Sequence, residues 1–253
     1  MNDAHFKDHF SKNSAGYAAY RPSYPSSLVD MLADVCPNNN RALDCGCGTG
    51  QLSVLLADRF AEVVATDASS AQIAKATQKD NVHYKTAVAE NSGLTDASVD
   101  LITVAQAAHW LDLAPFYEEV KRITTPNGIL ALITYGVVHV EGEVDRLVQQ
   151  FYYQDINEYW PAERQHVEKG YQDLPFPFAE VQTPTQEMQA CWDLEALIGY
   201  FNTWSAVKAA TKASGVNPTE ALKKALLPIW GDLKTTKTIT WPLSMRVGRV
   251  NVS

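Results

Sequence analysis

Between Ala42 and Tyr135 short apolar runs alternate with amphipathic stretches, and this rhythm restricts the chain more than any other feature. Strands joined by crossover helices produce it, and such strands lie parallel in a sheet covered on both faces. The pattern predicts strands at Ala42–Cys45, Glu62–Thr66, Val82–Val88, Val99–Ala105 and Ile129–Tyr135. Helices are expected at Gln51–Phe60, Ser70–Gln78 and Pro115–Ile123, with a turn at Pro126-Asn127-Gly128 leading into the fifth strand. Leu101-Ile102-Thr103-Val104 and Ile129-Leu130-Ala131-Leu132-Ile133 lack strict alternation, as strands buried on both faces do.

Ahead of this core, a proline and two hydroxyls at Pro25-Ser26-Ser27 start a helix over Leu28–Val35, which stops at Pro37-Asn38-Asn39-Asn40. After Tyr135 the rhythm breaks. Glu143–Trp160 reads as one long helix carrying Phe151, Tyr152, Tyr153, Tyr159 and Trp160, followed by the proline-rich Leu174–Phe178; a lid belongs here. Its aromatics serve either as packing or as a wall that excludes water. A strand at Glu187–Trp192, helices at Leu194–Ala210 and Thr219–Trp230, and an alternating run Thr238–Val247 follow. Pro242 within that run lacks a ladder donor and predicts a bulge or an edge.

Composition narrows the partners. With 253 residues, 46% of them apolar, the chain can bury a core without staples. Its 21 Lys and Arg against 29 Asp and Glu give a net charge of -8, a field that repels polyphosphate, so nucleic acid is not expected. Cys36, Cys45, Cys47 and Cys191 form no C-x-x-C pair and are expected to be reduced thiols, with no metal site. Met1 to Lys12 is polar and no run is long enough to span a bilayer, so a cytoplasmic chain without membrane partners is expected, as monomer or homodimer.

The strongest local signal is Asp44-Cys45-Gly46-Cys47-Gly48-Thr49-Gly50-Gln51, a strand running into three alternate glycines and then a helix. Glycine there permits tight turning and lets a ligand approach the main chain without meeting a β-carbon, while the helix start offers amide donors. Asp67 closes the second strand, where a carboxylate can accept both hydroxyls of a ribose; alone, it would serve equally as the N-cap of the next helix. Together they point to a nucleoside ligand. The spacing is G-x-G-x-G, and Gln51 stands where a dinucleotide fold would place its third glycine, which turns the reading from NAD toward S-adenosylmethionine (SAM).

The segment Asp44 to Tyr135 resembles the core of class I SAM-dependent methyltransferases: the glycine loop, Asp67, Ala89-Glu90 after the third strand, and Pro126-Asn127-Gly128-Ile129-Leu130. The resemblance implies an α/β, Rossmann-like, doubly wound sheet of seven strands, mostly parallel with an antiparallel strand, plus N-terminal helices and a helical lid inserted after the fifth strand. As one domain it would divide into an N-terminal cover (1–36), a SAM-binding core (37–135), the lid (136–185) and a completing segment (186–253). It also implies that Asp44, Gly46, Cys47, Gly48 and Gly50 border the methionine and ribose parts of SAM, with Gln106 nearby. Asp67 would hold the ribose, and Ala68, Ala89 and Glu90 would border the adenine. Many relatives carry an Asp immediately before the residue matching Ala89; this chain has Val88.

Gln106-Ala107-Ala108-His109-Trp110 follows the fourth strand, and Tyr17 to Pro25 precedes the core. With Thr203-Trp204-Ser205 they resemble the branch that includes trans-aconitate-type methyltransferases. His109 sits where open α/β sheets bind ligands. It is a candidate general base or hydrogen-bonding partner of the acceptor, and equally a histidine that only orients the loop beside Trp110. Arg21, Tyr17, Tyr20 and Tyr24, together with Trp110, are candidates for gripping a carboxylate of cofactor or substrate, or else a surface patch. The expected reaction is in-line methyl transfer to a small molecule, with a carboxylic acid as the candidate acceptor. A non-catalytic SAM-binding protein and an NAD-dependent dehydrogenase are the competing readings.

Overall fold

A computed structural model describes residues 22–250 of the chain. Tyr17, Tyr20 and Arg21 lie outside them. Helix α1 (Ser26–Val35) is followed by β1 (Arg41–Cys45), the short α2 (Ser53–Leu56), β2 (Glu62–Asp67), α3 (Ser70–Ile73), β3 (Val82–Thr86) and β4 (Val99–Ala105). Then come α4 (Leu113–Ile123), β5 (Thr124–Tyr135), α5 (Gly142–Gln150), α6 (Arg164–Glu168), β6 (Ala179–Glu180) and β7 (Gln186–Trp192). Three further helices, α7 (Leu194–Phe201), α8 (Ser205–Ser214) and α9 (Thr219–Trp230), lead to β8 (Lys237–Arg249).

The sheet runs β3-β2-β1-β4-β5-β8-β6, with β7 also paired to β8. β1 to β5 are parallel, and β8 is antiparallel to β5. β6 pairs with Gly248 and Arg249 while β7 pairs with Lys237 to Leu243, so the two share one position along the far edge of β8. The expected doubly wound, seven-position sheet is present, its last position divided between two segments.

Side-chain alternation across the sheet sorts the core into two layers. Ala131 and Ile133 of β5 join Leu101, Leu28, Leu32, Phe201 and Trp241 on one face. Leu130 and Leu132 join Ile102, Val104, Phe116, Val120 and Tyr171 on the other. α4 belongs to the second layer because Phe116, Tyr117, Val120 and Ile123 fall on one side of it.

Several predicted elements differ in extent. The helix expected over Gln51–Phe60 is α-helical only at Ser53–Leu56, because i to i-3 bonds such as Leu55 N–H to Leu52 and Arg59 N–H to Leu56 tighten its ends. The helix expected over Ser70–Gln78 retains only α3. The turn predicted at Pro126-Asn127-Gly128 falls inside β5 as an irregularity: pairing passes from Val99↔Thr124 to Leu101↔Ile129, and Asn127 adopts φ +63°. The long helix expected over Glu143–Trp160 ends its α-helical part at Gln150 and continues as a π turn (Phe151–Asp155) and a 3-10 turn (Asn157–Tyr159). The helix expected over Leu194–Ala210 is two, α7 and α8.

Pro242 lies inside β8, opposite Glu187 of β7, rather than on an edge. Its carbonyl accepts the Gly136 N–H at 3.1 Å, and a strand residue directs its C=O and N the same way, so the missing donor faces the point where β5 has just ended. The ladder with β7 loses nothing.

Candidate active site

The strand order reverses between β1 and β4, and the loops after β1, β2 and β4 open there into a cavity of about 500 Å³. Open α/β sheets bind ligands at such a point, and ligand pockets are commonly ~300–1,000 Å³. Asp44, Gly46, Cys47, Gly48, Asp67, Ala68, Ala89, Glu90, Gln106, His109, Trp110 and Tyr24 all line it.

After β1 the chain bends over the end of β2, with the N–H groups of Gly46 and Cys47 both donating to the Thr66 carbonyl at 2.8 and 2.9 Å. Gly48, at φ +56°, has no atom within 4 Å of where a β-carbon would stand, so its missing side chain leaves main chain bare toward the opening. Gly50 takes a different part. It does not line the cavity, and a β-carbon there would lie 2.1 Å from the Tyr84 hydroxyl. Gln51, in the place of a third glycine, donates its amide N–H to the Pro22 carbonyl at 3.1 Å and ties the segment before α1 to the loop.

Asp67 accepts the Gly48 N–H on Oδ2 at 2.9 Å and the Ser69 N–H on Oδ1 at 2.8 Å. Each oxygen keeps a lone pair for a ligand hydroxyl. Asp44 is buried beneath the loop, accepting the Ser53 hydroxyl at 2.5 Å and the Thr103 hydroxyl at 3.0 Å. Burial pushes its carboxyl up to about 6, against those hydrogen bonds and with help from the nearby Asp67 charge. A cationic ligand beside it would favour its negative charge. Burial raises the thiols of Cys45 and Cys47 as well, so both stay protonated.

Gln106 holds an unusual backbone, φ +55°, at the tip of β4. Its side chain accepts the Thr134 hydroxyl at 3.2 Å and donates to the Tyr135 carbonyl at 3.2 Å, bracing the loop against β5. His109 follows, 4.7 Å from the Trp110 ring between centroids, with Nδ1 at 2.8 Å from the Tyr171 hydroxyl. Burial, then the charges of Arg164 and His166, lower its pKa to about 3, so the ring is neutral at physiological pH. Tyr24 packs edge-on to Tyr135 at 6.4 Å.

Sequence reasoning did not find Tyr171, which is fully buried at φ +64°, or Glu163, which also lines the cavity. Both come from the inserted segment, and no local pattern marks them. Val88 is 46% exposed at the cavity wall, with Glu90 close by and accepting the Asp112 N–H at 3.3 Å. Among the described residues no helix is long and apolar enough to cross a membrane, and no three His, Cys, Asp or Glu side chains cluster as a metal site.

Residues 43–132 match the family described as "Methyltransferase domain". A Dictyostelium discoideum protein named as a methyltransferase is 36% identical over 235 residues, 91% of this chain and 88% of its own. A Saccharomyces cerevisiae protein named as a SAM-dependent methyltransferase is 33% identical over 131 residues, 48% of this chain and 45% of its own. Among solved structures, one from Anaeromyxobacter dehalogenans, described as a type II methyltransferase, is 42% identical with a TM-score of 0.89, covering 92% of this chain and 100% of that one. Likeness sustained over almost the whole chain goes beyond a shared fold, and with the glycine loop and Asp67 at the cavity it means that the chain belongs to the SAM-dependent methyltransferases.

Proposed function

We propose that the enzyme methylates a small molecule by direct in-line displacement, with the acceptor held between the glycine-loop end of the cavity and His109. SAM supplies a methyl group already activated by its positive sulfur, which leaves the protein to align the partners and keep the site dry. Gly46, Cys47 and Gly48 would carry the amino-acid end of the cofactor along bare main chain, with Asp44 as the buried counter-charge. The Asp67 carboxylate would hold the ribose, and Ala68, Ala89 and Glu90 would flank the adenine, Val88 offering an apolar edge in place of an acid.

For His109 we favour a hydrogen-bonding role over that of a base. A ring whose conjugate acid has a pKa of about 3 is a weak proton acceptor, whereas its hydrogen bond to Tyr171 fixes which nitrogen faces the cavity. A carboxylate acceptor is already ionised at neutral pH and asks for no base. The observation that carries this reading is a neutral His109, tethered to Tyr171, lining the same cavity as Asp67 and Gly48. Incubation with methyl-labelled SAM and a panel of small carboxylic acids, alcohols and amines tests it. Labelled product from at least one small acceptor, with loss of signal in Asp67→Ala, is expected; turnover only on protein or nucleic acid would contradict it.

A further inference from the structure

Arg164, at the start of α6, is partly buried and has no acidic partner among the described residues. Its Nε donates to the Tyr152 hydroxyl at 2.6 Å, which in turn donates to Glu168 at 2.8 Å. The guanidinium lies over the Trp160 ring at 5.0 Å and the Tyr152 ring at 5.5 Å. The two terminal nitrogens make no hydrogen bond to the described residues. Even a partly buried cation without a counter-ion is short of partners, since cations drawn into the protein are normally paired.

A second unmet donor stands beside it. The indole Nε1 of Trp160 is buried with no acceptor. Buried N–H groups are nearly always bonded, so an unfilled guanidinium fork and an unfilled indole N–H on adjoining side chains mark a place for acceptor oxygens. Neither side chain lines the cavity itself, but Glu163, next to Arg164 in sequence, does, and the Arg164 charge helps hold down the pKa of His109.

We infer that Arg164 and the Trp160 N–H form the carboxylate-binding end of the acceptor site. This rests on the small-molecule reading above and names its substrate class, a small organic acid. Planar carboxylate suits the fork of Arg donors. A phosphate monoester offers the same fork tetrahedral oxygens instead, and the titration below separates the two sources.

Calorimetric titration of the chain saturated with S-adenosylhomocysteine (SAH) tests this, using succinate, benzoate and citrate, their uncharged amides, and inorganic phosphate. At least one acid is expected to bind, with its amide and phosphate weaker by about tenfold or more. Arg164→Met and Trp160→Phe should each weaken that acid by about tenfold while SAH affinity stays within about threefold. If Arg164→Met fails to fold, seen as lost SAH binding, Trp160→Phe carries the test, since it removes only the N–H. The inference is overturned if none of the acids binds the SAH-loaded chain, if phosphate binds as well as the best acid, or if Trp160→Phe binds that acid like wild type. Failure of the wild-type chain to bind SAH is a separate result and would strike the functional reading itself.

Discussion

The imidazole Nδ1 of His109 and the hydroxyl of Tyr171 meet at 2.8 Å across 62 positions of chain, joining the loop after β4 to the segment inserted after β5. Tyr171 reaches that point from a left-handed backbone, φ +64°, and Gln106 braces the same loop at φ +55°. Non-glycine residues adopt such angles at a penalty of about 1–2 kcal/mol each, which the surrounding packing must offset.

His109 should be neutral throughout the working range. Burial holds its folded-state pKa at about 3, so its ring carbons should show no NMR titration between about pH 5 and pH 8. A midpoint near 6.5 for His109 would contradict its burial.

Tyr171→Phe removes the hydroxyl and keeps the ring in its packed layer. The expected outcome is a stability loss of about 1 kcal/mol and a fall in kcat of about tenfold, with KM for SAM unchanged. If the hydroxyl serves stability alone, the denaturation midpoint moves and kcat does not.

Gly48→Ala separates a ligand cradle from a mere turn. The new methyl meets nothing within 4 Å, so folding should weaken only by the left-handed penalty of about 1–2 kcal/mol, whereas SAH affinity should drop by more than tenfold. Gly50→Ala must instead displace Tyr84, which donates to the Thr77 carbonyl at 2.6 Å, so its effect should appear in Tm as well.

Asp44 makes stability depend on pH in a direction opposite to most acids. Its folded pKa of about 6 stands above the reference 3.8, so as pH rises between about 4 and 6 the unfolded chain releases the proton first and folding weakens; above about 6 the loss is constant. The shift corresponds to about 3 kcal/mol. Asp44→Asn carries no such proton, so urea unfolding at pH 4 and pH 7 should show the stability difference between variant and wild type moving in favour of the variant by up to that amount. A difference independent of pH would contradict the raised pKa.

How far the sequence reached follows from how local each signal is. The glycine loop and Asp67 were readable because a strand, a turn and an acid at a strand tip are set by residues close in sequence, and β4 at Val99–Ala105 was matched to the residue because its apolar run is bounded on both sides. Gly50 was grouped with the other two glycines by spacing alone, yet Tyr84 packing decides its place. Glu163 at the cavity, Tyr171 against His109 and Arg164 against Tyr152 were invisible because only tertiary packing of the inserted segment places them there. Pro242 was misplaced because the sequence does not disclose that β5 ends beside it.

The account turns on the crevice between Gly48 and Asp67 holding SAM. Calorimetric titration of the wild-type chain and Asp67→Ala with SAH, and of the wild type with NAD, tests it most directly. One SAH per chain, an affinity reduced by about tenfold or more in Asp67→Ala, and no NAD binding are predicted. NAD binding without SAH binding, or SAH bound equally by both chains, would contradict it.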